Sequence, residues 1–140
     1  MTIRLDHAQT THRLSIPSDR KNIGRVEEFF REINASFHIP DEKLHALLVS
    51  VTEAVNNGII HGNKNDAAKH VEVTCALQGT LLTVSVKDEG EGFTPENIAD
   101  PLHEDNLLAT GGRGVFLMKA FMRSVTYNDK GNEVTMTMEL

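Results

Sequence analysis

The spacing of the apolar residues changes near the middle of this 140-residue chain, and the change constrains the fold. Before residue 62, apolar side chains recur every three or four residues, which is typical of an amphipathic helix. From residue 71 they alternate with polar or small residues, as expected for strands with one buried face. The helical spacing involves Leu44, Leu47, Leu48, Val51, Val55 and Ile59, and the alternation involves Val71, Val73, Cys75, Leu77, Leu82, Val84 and Val86.

The segment before this helix predicts a strand followed by another helix. Leu14 and Ile16 alternate with polar residues, which indicates a short first strand. Ser18 or Asp19 could cap the helix that follows, because their side-chain oxygens can accept hydrogen bonds from free N–H groups. The apolar stripe of that helix is predicted at Val26, Phe29, Phe30 and Ile33.

The second half of the chain predicts two hairpins separated by a loop and a helix. The first hairpin covers residues 71–86, a loop follows at 93–110, and a helix spans 112–122. A second hairpin, with its turn at 128–132, closes the chain. Because helices and hairpins occur in blocks, we predict an α+β fold with a mostly antiparallel sheet and helices on one face. Residues 1–9 are expected to form a flexible tail and 10–140 a single domain.

Composition excludes several classes of protein. The net charge of -6 argues against a nucleic-acid-binding protein, which normally carries a basic patch. No apolar run approaches the roughly 20 residues of a membrane span, and the first residues lack a secretory signal. The single cysteine, Cys75, fits a reducing cytoplasm. The seven histidines show no zinc-binding spacing.

A first polar block lies at the end of the predicted long helix. Glu53, Asn57 and His61 are four residues apart, which places them on one stripe beside the buried face. The Asn57 oxygen could join the shell of a Mg²⁺ ion, and Glu53 could accept a proton as a general base. His61 is expected to pack near the same pocket. The alternative is a polar helix edge with Asn57 near the C-terminal cap.

A second block, Asp88-Glu-Gly90-Glu-Gly92-Phe93, follows a strand directly. Asp88 continues the alternation of buried residues, so its carboxylate needs a hydrogen-bond donor. The amino group of adenine is such a donor, whereas guanine presents an oxygen there, so Asp88 could select ATP over GTP. Gly90 and Gly92 would let the backbone approach a ring closely. The alternative is an ordinary Asp-x-Gly turn.

A third block is rich in glycine and opens the predicted helix at residue 112. Free N–H groups and the positive end of the helix dipole would favour phosphate there. No strand leads into the block, which excludes a Rossmann motif. The alternative is a glycine-rich helix cap. The residues of the block are Gly111, Gly112, Arg113, Gly114 and Val115.

Taken together, the three blocks resemble motifs of the anti-sigma factor serine/threonine kinases of bacteria, a branch of the GHKL ATPase superfamily. The stretch 53–62 is similar to the N-box, 88–92 to the G1 box and 112–118 to the G2 box of that family. The resemblance extends from about Leu14 to the C-terminus. It implies a Bergerat-type, two-layer α/β sandwich that binds ATP with Mg²⁺.

The resemblance also implies roles for individual residues. Glu53 corresponds to the general base, Asn57 to the Mg²⁺ ligand and Asp88 to the group that reads adenine. A nucleotide site is implied at Asn57, His61, Asp88, Gly90, Gly92, Phe93, Gly111, Gly112, Arg113, Gly114 and Val115.

The implied activity is phosphorylation of a serine or threonine on a small antagonist protein, the anti-sigma factor antagonist, in the cytoplasm. Similar proteins form homodimers and sequester a sigma factor, and Arg25 matches a position that helps to bind partners. Neither nucleic acid nor a membrane is implied as a direct partner.

Two residues depart from the pattern of similar proteins. Thr110 stands where relatives often carry a basic residue, which leaves open a nucleotide-gated binding module with little or no kinase activity. Ile60 stands where histidine kinases usually carry Lys or Arg. That difference disfavours a plain ATPase or a detached histidine-kinase catalytic domain.

Overall fold

The computed structural model describes residues 10–90 and 120–140. The predicted tail at 1–9, the loop at 93–110 and most of the helix at 112–122 therefore lie outside the described residues, although Ala120 and Phe121 are helical. The described elements are β1 (Thr10–Pro17), α1 (Gly24–Phe37), α2 (Asp41–Asn57), β2 (His70–Gln78), β3 (Leu81–Lys87), β4 (Ser124–Tyr127) and β5 (Glu133–Glu139).

The five described strands form one sheet in the order β1-β2-β3-β5-β4, and every neighbouring pair is antiparallel. Val84 on β3 lies opposite Cys75 on β2 and Met136 on β5, which brings the buried positions of three strands side by side. Both hairpins predicted from the alternation are confirmed, as is the α+β class with an antiparallel sheet.

The start of α1 differs from the predicted capping. Asp19 does cap a helical turn, but it is the short 3₁₀ turn Arg20–Asn22, where its side chain accepts the N–H of Lys21. The α-helix begins only at Gly24, without a side-chain cap. Ser18 is buried, and its hydroxyl donates to the carbonyl of Lys69 at 2.9 Å. The prediction of a helix start in this segment is correct, but a 3₁₀ turn precedes the α-helix, and Ser18 hydrogen-bonds to Lys69 and does not cap a helix.

A tight turn joins α1 to α2. His38 adopts a left-handed conformation with φ of 55°, and the side chain of Asn34 accepts the N–H of Ile39 at 2.6 Å. Pro40 then precedes α2, whose first turn carries Asp41 and Glu42, and these carboxylates complement the positive end of the helix dipole.

The hydrophobic core lies between the two helices and one face of the sheet. α1 and α2 contribute their apolar stripes, and the strands contribute every second residue. Cys75 is fully buried in β2, where burial raises the pKa of its thiol to about 12. Fully buried members include Phe30, Leu47, Val51, Val55, Val73, Leu82, Val84, Met136 and Met138.

Adjacent leucines on β3 test which face of the sheet is buried. Leu82 is fully buried, whereas Leu81 is only half-buried. We expect Leu82→Ala to lower the free energy of unfolding by about 2–5 kcal/mol, since it removes buried methyl groups and leaves a cavity. The matched variant Leu81→Ala should cost about 1 kcal/mol. Urea denaturation measures both, and equal losses would contradict the assigned faces.

Candidate functional site

Glu53 and Asn57 lie one turn apart near the C-terminal end of α2. Both side chains are half-buried, and among the described residues neither has a hydrogen-bond partner. Burial raises the pKa of the Glu53 carboxyl above its ordinary value of 4.5. A carboxylate made more basic by desolvation, with no partner among the described residues, is suited to accept a proton.

The helix does not end at Asn57 but widens into a π-helical turn, Gly58–Gly62. The N–H of Asn63 reaches back five residues to the carbonyl of Gly58 at 2.8 Å. Single π turns inserted at a helix end are frequent at functional sites. His61 in this turn is exposed, whereas Glu53 and Asn57 are half-buried, so the predicted stripe is not uniform in burial. A role for His61 in binding nucleotide stays a prediction.

The π turn brings the first polar block against the second. A Cβ atom at Gly62 would lie 2.6 Å from Oδ1 of Asp88, closer than real atoms approach. A Cβ atom at Gly90 would lie 2.7 Å from the carbonyl carbon of Gly62 and 2.8 Å from Oδ1 of Asp88. Both positions therefore exclude a side chain. Two stretches that are 26 residues apart in sequence, 62 and 88, meet at van der Waals contact.

The alternation along β3 predicts that the Asp88 side chain lies on the buried face of the sheet. In the structure Asp88 lies just beyond the end of β3 and is only half-buried. Its Oδ1 atom accepts the N–H of Gly90 at 2.8 Å, and its Oδ2 atom accepts no hydrogen bond from another described residue. Burial raises the pKa of this carboxyl, while the Gly90 hydrogen bond and the charge of Lys130 act in the opposite direction. Asp88 thus keeps one carboxylate oxygen available for a donor.

Asn63 is a residue of this site that the sequence analysis missed. Its side chain is 1% exposed and makes three hydrogen bonds. Oδ1 accepts the N–H of Glu89 at 2.7 Å, and Nδ2 donates to Ser18 Oγ at 2.7 Å and to the carbonyl of His70 at 3.0 Å. The N–H of His70 in turn donates to the carboxylate of Glu89. Asn63 therefore joins the π turn to the residue after β1, to β2 and to the segment after β3.

Asn132, in the turn before β5, holds Asp88 from the other side. Its backbone carbonyl accepts the N–H of Asp88 at 2.9 Å, and its Nδ2 donates to the carbonyl of Asp88 at 3.1 Å. The side chain of Asn128 donates to Asn132 Oδ1 at 2.7 Å. Because Asn132 is only 7% exposed, these bonds satisfy a polar group that would otherwise be costly to bury.

The polar stretch 62–65 gave no distinct sign of this role, because Asn and Lys in series usually indicate a solvated turn. A weak signal was available in the spacing of Gly58 and Gly62, which lie four residues apart and are the first and last residues of the π turn. Glycines so placed permit another backbone to approach closely.

Several predicted site residues lie outside the described residues and stay predictions. They are Gly92, Phe93, Gly111, Gly112, Arg113, Gly114 and Val115, together with Thr110.

Asn57 fits a magnesium ion that is held mainly by phosphate and water. Its amide has no hydrogen-bond partner among the described residues, so its oxygen is available as a single neutral ligand. Within 10–90 and 120–140 no group of three His, Cys, Asp or Glu side chains is placed to hold a metal. Mg²⁺ commonly takes few protein ligands and completes its shell with substrate phosphates.

No helix in the part of the chain that the structure describes is long and apolar enough to cross a membrane.

The chain is similar to proteins of one known family. A model of the family described as the histidine kinase-like ATPase domain matches residues 16–138. The chain is 33% identical over 104 residues to the anti-sigma F factor of Oceanobacillus iheyensis, covering 71% of each chain. It is 34% identical over 101 residues to the anti-sigma F factor of Anoxybacillus flavithermus, covering 71% of this chain and 68% of that protein.

Two further matches extend over more of the chain. The serine-protein kinase RsbW of Bacillus subtilis is 25% identical over 134 residues, covering 91% of this chain and 84% of that protein. Among solved structures, the histidine kinase domain of the blue-light activated histidine kinase from Erythrobacter litoralis EL346 superposes with a TM-score of 0.58 at 23% identity. That match covers 89% of this chain, which spans 62% of the solved chain, and it supports the fold alone.

Substitution of Gly62 tests the contact with Asp88. We expect Gly62→Ala to lower the free energy of unfolding by about 1–3 kcal/mol, because the added methyl group overlaps the carboxylate and forces one segment to move. Gly24→Ala is the matched control, since a Cβ there meets nothing within 4 Å. It should leave stability unchanged or raise it by up to about 1 kcal/mol. Thermal or urea denaturation of both variants measures the difference, and a Gly62→Ala protein as stable as the control would refute the contact.

The raised pKa of Asp88 predicts how stability depends on pH. In the window above the ordinary value of 3.8, the folded protein binds more protons at Asp88 than the unfolded chain does. The contribution of Asp88 to the free energy of unfolding therefore falls as pH rises through that window. We expect Asp88→Asn, which keeps an acceptor for Gly90, to stabilise the ligand-free protein at pH 7, with a gain that shrinks as the pH approaches 3.8.

The control for this effect is Asp66→Asn. Asp66 is exposed and also accepts an N–H two residues on, from Ala68 at 2.9 Å, so the substitution keeps the same type of turn. Denaturation curves recorded between pH 4 and 7 compare the two variants, and an equal gain from both would exclude the burial of Asp88 as its cause.

Proposed function

The chain belongs to the histidine kinase-like ATPase domain family, and we propose that within it the protein is a serine/threonine kinase of the anti-sigma factor type. Membership confirms the resemblance read from the three motifs and the expectation of an ATP-dependent kinase domain. In our proposal the substrate is a serine or threonine on a small antagonist protein, and the partner held inactive is a sigma factor. The names of the relatives, anti-sigma F factor and serine-protein kinase, support this assignment.

The observation that carries the proposal is the position of Asp88 against Gly62. The contact brings a carboxylate with one available oxygen to the end of the helix that carries Glu53 and Asn57. A nucleotide could then reach Asp88 with its base while its phosphates extend along the face of α2 that carries Glu53 and Asn57. The described residues alone would therefore offer different groups to the two ends of the nucleotide: Asp88 to the base, and Glu53 and Asn57 to the phosphates.

At the base, Oδ2 of Asp88 would accept a hydrogen bond from the 6-amino group of adenine. Oδ1 is already held by Gly90 at 2.8 Å, which fixes the plane of the carboxylate. Guanine and hypoxanthine present an oxygen at the same place, and two acceptors facing each other in a half-buried site repel. Asp88 would therefore favour ATP over both alternatives.

At the phosphates, Glu53 would accept the proton of the attacking hydroxyl and Asn57 would hold Mg²⁺. The bound metal would neutralise charge that develops on the transferred phosphoryl group. Gly92, Phe93, Gly111, Gly112, Arg113, Gly114 and Val115 are proposed to complete the nucleotide site, and Arg25 to contribute to the partner surface.

The proposal extends to the setting in which the kinase acts. We take residues 10–140 as the ATP-binding kinase domain, acting as a homodimer in the cytoplasm, where ATP is abundant and Cys75 stays reduced.

Substitution of Glu53 tests the kinase activity. Incubation with radiolabelled ATP, Mg²⁺ and a candidate small antagonist protein should label that antagonist on serine or threonine, as mapped by mass spectrometry. We expect Glu53→Gln to lower the transfer rate by about 10²–10⁴-fold, since it removes the general base but keeps the shape of the side chain. Nucleotide affinity, measured by calorimetry, should stay within a few-fold.

The matched control is Glu42→Gln, because Glu42 is exposed in the first turn of the same helix. It should transfer phosphate at the wild-type rate, and equal rates for the two variants would exclude Glu53 as the base. A wild-type protein that binds ATP and its partner but transfers no phosphate would instead establish the nucleotide-gated module suggested by Thr110.

A further inference from the structure

The two polar ends of the peptide group between Asp88 and Glu89 are each held by a buried asparagine. Its carbonyl, on Asp88, accepts a hydrogen bond from Asn132 Nδ2 at 3.1 Å. Its N–H, on Glu89, donates to Asn63 Oδ1 at 2.7 Å. We call this pair of side chains, Asn63 and Asn132, the asparagine clamp.

The chemistry of its partners fixes the orientation of Asn63. The carbonyl of His70 can only accept and the N–H of Glu89 can only donate, so Nδ2 must face the first and Oδ1 the second. Ser18 agrees with this orientation, because its hydroxyl donates to Lys69 and therefore accepts from Asn63. Both amide hydrogens and one carbonyl lone pair are used, so rotation of the side chain would break three hydrogen bonds inside the protein.

The clamp restrains the peptide group that follows the Asp88 side chain. Asp88 follows the last ladder residue of β3, so its own backbone is not held by the β2–β3 pairing. Asp88 Oδ1 accepts the N–H of Gly90 at 2.8 Å, and the peptide group at 88–89 lies between these two groups. Rotation of that peptide group would move the N–H relative to the carboxylate, and the clamp opposes the rotation at both ends. A hydrogen bond to a buried polar group is costly to break without replacement, so the orientation of that peptide group is set before any ligand binds.

We propose that Asn63 is a positioning residue for nucleotide recognition, which acts through the Asp88–Glu89 peptide to set selectivity for a 6-aminopurine over a 6-oxopurine. Asn132 holds the other end of the same peptide group and acts in the same sense. This inference rests on the proposed function, because it assumes that Asp88 reads the base.

The decisive measurement is the ratio of affinities for ATP and inosine triphosphate, which differ at the 6-position of the base. Calorimetry with Mg²⁺ should show that the wild-type protein prefers ATP by about 100-fold, the discrimination expected when a half-buried charged acceptor loses its donor. Asn63→Ala should reduce that ratio at least 10-fold by weakening ATP binding while leaving inosine triphosphate almost unchanged. Asn132→Ala should act in the same direction, and it provides the test if Asn63→Ala fails to fold.

Leu82→Ala separates positioning from simple loss of stability. Leu82 is fully buried at the opposite end of β3 from Asp88, so the substitution destabilises the protein without touching the clamp. Its ratio of ATP to inosine triphosphate affinity should remain within about 2-fold of wild type. In an Asp88→Asn background, Asn63→Ala should cause no further change in the ratio, because the group it positions has been altered.

Amide hydrogen exchange of Glu89 gives a readout without nucleotide. The N–H of Glu89 should exchange slowly in the wild-type protein and at least 10-fold faster in Asn63→Ala, with no comparable change in Leu82→Ala. If the wild-type protein does not prefer ATP and Asp88→Asn changes nothing, the proposed function fails and this inference fails with it. If Asp88→Asn abolishes the preference but Asn63→Ala retains it, only the role of Asn63 is overturned.

Discussion

The carboxylate of Asp88 rests directly on the backbone of Gly62, and the rest of the candidate site is organised around that contact. Helix α2 reaches the contact because the π turn Gly58–Gly62 extends the helix to Gly62. The segment after β3 reaches it because Gly90, which also lacks a side chain, lies against the carbonyl of Gly62. A methyl group at either glycine would push the two segments apart. Close approach of two backbones is thus the condition for placing Asp88 beside α2.

The contact places an acid where water is partly excluded, which opposes stability. Burial favours the neutral form of Asp88, and the hydrogen bond from Gly90 and the charge of Lys130 offset only part of that effect. Glu53 has the same type of environment without such compensation among the described residues. Two carboxyl groups that destabilise the ligand-free protein are a common property of sites that bind a ligand with matching donors. The cost falls when the ligand supplies them.

The larger features of the fold could be predicted because each depends on local spacing. Alternation of apolar residues over 71–86 was enough to predict β2 and β3, and the spacing of three or four residues between apolar positions up to Ile59 was enough to predict α2. The order of the polar blocks was enough to predict the family.

What the sequence analysis missed depends on contacts between distant residues. Asn63 meets Ser18, His70 and Glu89, which are 45, 7 and 26 positions away, and no local pattern records such meetings. The π turn was also missed, because it is a single turn and the apolar residues before it keep the spacing of an ordinary α-helix. The assignment of Asp19 as a cap was correct in kind but attached to a 3₁₀ turn, because one polar side chain cannot specify which type of helix it begins.

Cys75 gives the molecule an internal reporter of global opening. It is the single thiol in the chain, it sits fully buried in β2, and its thiol has a pKa of about 12. Only a thiolate in contact with solvent reacts with disulfide dyes, so modification must wait until the sheet separates from the helices. The rate of dye incorporation would then report how often the whole domain opens. A ligand that stabilises the closed domain would lower that rate, so its binding could be detected without an engineered label.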